Sequence, residues 1–329
     1  MEQRNYDLKQ PRQHFSAVGW IFTALLGVGT LAQLAALVVQ ALIFGEAETP
    51  AWWTWVSAFA PLYMVSFPLC FLLMKLCLPA QAPERKKLSV KELLLLFPVC
   101  CCLMYGGNLI GTVLSSLLSG GQAVNEVGEL AMDQSPLKIL FMVILAPLFE
   151  EMICRKLLID RIGRYGQKAA VLLSGLLFGL LHGNLLQFFY AFALGTVFGY
   201  IYIRTGKLLY TVVFHAIVNF MGTVIAPFVA SLVDMEILEQ LMEGNLPDME
   251  QLAQFLPGYL VLQAYSLVLL GLSVWGLVLL IRKLRRLDWQ TASEQLPRKQ
   301  AMKAAFLNVG MIAYTLLCLA TMVLALFPD

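Results

Sequence analysis

The sequence predicts an all-α, polytopic membrane helix bundle of about nine transmembrane helices (eight to nine), with its N-terminus on the cytoplasmic side. Three observations predict it. Of 329 residues, 59% are hydrophobic and only 13% charged, which excludes an ordinary soluble domain. Apolar runs of the length that crosses about 30 Å of hydrocarbon, roughly 20 residues each, recur along the whole chain. The charges between the runs alternate in sign, as expected of a chain that passes repeatedly from one side of a bilayer to the other.

The runs lie at 15–44, 52–78, 92–119, 138–158, 168–185, 186–204, 208–233, 257–281 and 304–327. The first follows a basic arm, "MEQRNYDLKQPRQH", and is too long for the apolar core of a cleaved signal peptide, so it reads as an anchor. Only "HGNLLQ" separates the fifth and sixth, which are either two spans or a re-entrant pair. Arg4, Lys9 and Arg12 place the N-terminus inside, and three later turns are basic: Arg85 to Lys91, Arg155 to Lys168, and Arg204 with Lys207. A fourth basic connection runs from Arg282 through Arg285 and Arg286 to Lys303.

The opposite turns are acidic, with Glu46 and Glu48, then Glu126, Glu129 and Asp133, then the series from Asp234 to Glu250. Nine alternating crossings satisfy all of these signs and leave the C-terminus outside. The chain divides into three parts: residues 1–137 with the first three helices, 138–233 with the polar motifs, and 234–329 with an outer acidic segment and the last two helices. In that outer segment Met235, Leu238, Leu241 and Met242 recur at helical spacing, which fits either a helix on the outer membrane surface or a solvated loop. Seven cysteines lie in or beside apolar runs without a CxxC pair, and read as small apolar residues.

Polar residues inside the apolar runs are costly and mark function. Glu150 and Glu151 stand together in "ILAPLFEEMICRKLLIDR". Glu151 and Arg155 are four residues apart with the acid first, the favoured order for an intrahelical ion pair. Glu150, about 100° around the helix, is left without a local partner. His182 lies in "SGLLFGLLHGN", four residues after Phe178; His215 lies in "LLYTVVFHAIVNFMG", four before Asn219. With Arg155 and Lys156 taken as the inner boundary, counting at 1.5 Å per residue puts Glu150, His182 and His215 at one level, about 8–12 Å from the cytoplasmic face. Gly175, Gly179 and Gly183, and Gly195 with Gly199, recur at a spacing that lets helix backbones approach closely.

A carboxylate and a histidine in a dry pocket can hold and deprotonate water. A second imidazole and a carboxamide can donate to a developing oxyanion. Glu150 with His182 suits the first role and His215 with Asn219 the second, giving an acyl-transfer site in which water is the nucleophile. The same residues admit a zinc reading, with Glu150, His182 and His215 as ligands, although no HExxH helix accompanies them. The favoured reading has no cofactor. A different class stays open: a non-enzymatic membrane protein, such as a bacteriocin-immunity factor or a proton-coupled transporter. The missing inverted repeat counts against the transporter.

"EEMICR", "FGLLH" and "HAIVN" resemble, in order and spacing, the EExxxR, FxxxH and HxxxN motifs of the CAAX protease and bacteriocin-processing family, intramembrane glutamate-type endopeptidases related to the Ras-converting enzyme. The resemblance covers about residues 138–225. It implies that Glu150 and His182 activate water, that His215 and Asn219 hold the oxyanion, and that Glu151, Arg155 and Phe178 support them. It also implies cleavage of a peptide or membrane-protein substrate, prenylated or a bacteriocin or pheromone precursor, near the cytoplasmic side of a cell membrane. The bilayer is the other expected partner, and nucleic acid is not.

Overall fold

The structure, a computed structural model, describes residues 8–77, 79–284 and 287–327. Arg4, Arg285 and Arg286, counted above among the inner charges, lie outside the described residues, as does the side chain of Glu126. Every regular element in the described residues is helical.

In chain order the long elements are α1 (Lys9–Phe44), α2 (Ala51–Cys77) and α3 (Val90–Ser119). A short helix α4 (Glu126–Met132) precedes α5 (139–162). Next come α6 (Gln167–Leu181), α7 (Leu185–Thr205) and α8 (Leu208–Ala230). The chain ends with α9 (Met235–Met242), α10 (Met249–Leu284), α11 (Arg298–Phe306) and α12 (Val309–Leu324). Each of the nine predicted runs therefore falls on a helix. Among the described residues six helices are long and apolar enough to cross a membrane, and α11 with α12, bent by 57°, forms a seventh if the pair counts as one span. The other two runs fall short for different reasons. α5 carries three acids and three bases, and α6, at 15 residues, reaches only about 22 Å.

Proline shapes three of the spans. Pro61, Pro147 and Pro227 each lie inside or beside a stretch of wide π turns, at Pro61–Ser66, Ile139–Leu145 and Met221–Ile225. Proline has no amide to donate, and the helix meets that deficit by widening.

The basic connections gather at one end of the bundle. The Gln81 amide donates to the Asp160 carbonyl, and the Lys86 amide to that of Thr205. Arg164 donates to Pro79 O and pairs with Glu294, and Arg204 pairs with Asp288. At the acidic end the buried Trp55 indole donates to Asp133 at 2.6 Å. The acidic segment is helical there, and Ile237 of α9 packs with Val233 and Phe255 while Met235 and Met242 stay exposed.

α6 and α7 form a tight hairpin with "HGN" as its turn, Gly183 supplying the left-handed residue at φ +66°. Two glycines on α3 admit the hairpin. A Cβ at Gly107 would come 2.5 Å from Tyr190 Cα, and one at Gly111 would come 2.6 Å from Leu185 O. Within the hairpin, a Cβ on Gly175 would meet the Thr196 amide nitrogen at 2.9 Å and its hydroxyl at 2.2 Å. Gly175→Ala is expected to lower stability by about 1–3 kcal/mol through forced separation of α6 and α7. Gly106→Ala, whose Cβ meets nothing within 4 Å, is the control. Thermal unfolding in detergent measures both, and equal melting of the two variants would refute the close-approach account.

Candidate active site

α5, α6 and α8 bring the motif residues to one place. The Glu151 and Arg155 side chains are wholly buried and joined by two hydrogen bonds, Nε to Oε2 at 2.9 Å and Nη2 to Oε1 at 3.1 Å. The other terminal nitrogen of Arg155 donates to Ser174 Oγ at 2.7 Å, and that hydroxyl donates to the Cys154 carbonyl. The guanidinium lies 4.8 Å from the centre of the Phe178 ring. Phe178 in turn meets the rings of His182 and His215 edge-on, with centroids 5.0 and 5.4 Å away. The predicted ion pair and the supporting phenylalanine thus form one continuous layer under both histidines.

The geometry fixes the protons on the histidines. The His182 Nδ1 lies 2.8 Å from the Phe178 carbonyl, which can only accept, so Nδ1 carries the hydrogen and Nε2 keeps its lone pair. His215 Nδ1 lies 3.2 Å from Glu151 Oε1, whose carboxylate is already neutralised by Arg155. That contact makes Nδ1 the donor, and it points Nε2 toward Glu150 Oε2, 3.8 Å away. Such a gap is too long for a hydrogen bond and suits a bridging group. Asn219 spends one amide hydrogen on the Met142 carbonyl at 2.7 Å, which leaves it a second.

Glu150, His182, His215 and Asn219 line a single cavity of about 380 Å³. Its walls are largely apolar, with Met104, Met142, Leu186, Leu194 and Val218 among them. The hairpin tip adds Gln187 and Tyr190, hydrogen-bonded to each other at 2.9 Å. α4 contributes Gly128 and Ala131, so the cavity extends from the motif residues toward the acidic end of the bundle.

Two sequence expectations change. Arg155, used as a boundary marker, is completely buried and paired with Glu151, so it is not a solvated charge at the membrane surface. Glu150 instead sits midway along α5. His182 is not inside a helix but is the residue that ends α6, at the hairpin turn. Ser174 was missed. Its signal was present, because Ser174, Phe178 and His182 recur at four-residue steps and so share one helix face. Among the described residues, no group of three His, Cys, Asp or Glu side chains is placed to hold a metal ion, although Glu150, His182 and His215 line one cavity.

The fold and this cavity define a multi-pass membrane protein with carboxylate, imidazole and carboxamide groups held between apolar helices. A family model, that of the type II CAAX prenyl endopeptidase Rce1-like family, matches residues 133–221. That stretch holds all three motifs, and the class it defines is the CAAX-type intramembrane protease. Comparison with curated proteins and with solved structures finds no match.

Proposed function

We propose that the protein is a glutamate-type intramembrane endopeptidase in which Glu150 and His182 activate water and His215 with Asn219 receives the oxyanion. The observation that carries this reading is the shared cavity, into which four polar groups from three apolar helices converge. Glu150 takes a proton as water attacks the peptide carbonyl, and the Nε2 lone pair of His182 orients that water. The developing oxyanion accepts from the second amide hydrogen of Asn219 and from Nε2–H of His215, which donates there as an imidazolium whose Nδ1–H faces Glu151. Collapse of the tetrahedral intermediate breaks the C–N bond, and Glu150 returns its proton to the leaving amine. Phe178, on the cavity wall, packs against both imidazoles, and Arg155 acts on them through Glu151 and the Phe178 ring.

The substrate is a peptide or the tail of a membrane protein, with an apolar stretch suited to the methionine and leucine walls. Prenylated peptides and bacteriocin or pheromone precursors all fit that description. The direction of the cavity favours a scissile bond near mid-membrane that is reached from the acidic face, rather than the cytoplasmic-side position obtained by counting from Arg155. Proteoliposomes of defined orientation test both points. Wild type should cleave a candidate peptide offered on the acidic face, and His182→Ala should not. Equal cleavage by the two proteins would overturn the reading, and cleavage only from the basic face would overturn the proposed access.

Hydrolysis that survives rigorous chelation would exclude the zinc variant of this mechanism. The non-enzymatic alternative predicts that Asn219→Ala leaves the protein's biological effect intact, or that vesicles show proton-linked flux.

A further inference from the structure

We infer a second binding site, at the basic end of the bundle, for an anionic phospholipid of the inner leaflet. A crevice of about 580 Å³ opens there between α3, α6, α7, α10 and α11, farther along α7 toward its C-terminus than the catalytic cavity. Its rim carries Lys86, Lys87, Lys168, Arg204, Lys283 and Arg298. The single acid in its lining, Glu92, accepts from the amide and hydroxyl of Ser89 at 2.8 and 2.7 Å, where it caps α3.

The cations are only partly neutralised. Lys86 pairs with Glu84 at 3.1 Å and Arg204 Nη2 with Asp288 at 2.9 Å. Among the described residues no ion pair engages Lys87, Lys168, Lys283 or Arg298. The second terminal nitrogen of Arg204 is buried and has no hydrogen-bond partner, an arrangement that is costly unless an acceptor arrives. A phosphate oxygen supplies that acceptor and answers the surplus charge.

Apolar walls distinguish a lipid from a soluble anion. Below the rim the crevice is lined by Leu96, Val99, Val197 and Leu280. Leu277, Val278 and Ile281 of α10 continue that surface outward, exposed, toward the hydrocarbon. A head group at the rim and an acyl chain along this wall satisfy both halves at once. Because α7 lines both sites at successive positions, lipid bound here would brace the helix that carries Leu194 and Phe198 into the catalytic cavity.

Native mass spectrometry of the full chain, extracted from vesicles of equimolar phosphatidylglycerol and phosphatidylcholine, tests the site without reference to catalysis. Wild type is expected to retain phosphatidylglycerol over phosphatidylcholine by about tenfold or more, and Arg204→Gln with Lys283→Gln to lose most of that preference. Lys87→Gln with Arg298→Gln, on more exposed side chains, is a second pair should the first fail to fold. Addition of millimolar inorganic phosphate should not displace the lipid. Equal retention of the two lipids by wild type, an unchanged preference in folded variants, or displacement by free phosphate would each overturn the assignment.

Discussion

Glu150→Gln is expected to lower peptide hydrolysis by about 10³-fold, within the range that loss of a positioned general base produces. The substitution keeps the shape of the side chain and removes only its ability to take a proton. Nothing else should fall with it. Among the described residues no hydrogen bond engages the Glu150 side chain, and His215 Nε2 stands 3.8 Å from its Oε2. Removing a carboxylate from an apolar interior relieves desolvation, so the melting temperature should hold or rise. Steady-state cleavage of a reconstituted peptide, read beside thermal unfolding of the same preparation, checks both expectations. Activity within tenfold of wild type would show that Glu150 is not the base; a collapse in stability would make it structural instead.

Two kinds of pattern were legible before the structure. Long apolar runs mark helices because the bilayer allows no other satisfied backbone, and all nine runs fall on helices. The i, i+4 spacing of Glu151 with Arg155 needs only local geometry, and the pair forms as read. Depth was harder, because counting residues assumes that charge marks a surface. Arg155 breaks that assumption, being held inside by Glu151 and Ser174. A break between α6 and α7 was legible in "HGNLLQ", but its position was not, since the fifth run reads through to residue 185 while α6 ends at Leu181. Gly183 at positive φ, with Asn184 capping α7 through the Gln187 amide, sets the turn there and puts His182 on it. Contacts made by carbonyls, such as Asn219 to Met142, leave no trace in residue type.

The ion pair beneath the histidines sets up the second large effect. Arg155→Met is expected to destabilise the protein by about 3–5 kcal/mol, because it strands the buried Glu151 carboxylate without its charge partner, leaving it only the contacts of Thr211 and the His215 ring. Glu151→Leu should cost a similar amount by leaving the guanidinium with Ser174 alone. The double variant separates packing from chemistry. Replacing both charges by apolar side chains of similar volume removes two desolvation penalties together, so most of the lost stability should return. Activity should not. Without Glu151 no carboxylate faces His215 Nδ1 to hold the doubly protonated ring, and a neutral ring that keeps its Nδ1 hydrogen turns an Nε2 lone pair, rather than a donor, toward the oxyanion. A double-mutant cycle on unfolding free energy, run beside peptide cleavage, measures both consequences. Single variants that stay within about 1 kcal/mol of wild type would show that the pair does not support the fold. A double variant that regains full activity would show that Glu151 does not set the proton on His215, and the division between the two adjacent acids would have to be redrawn.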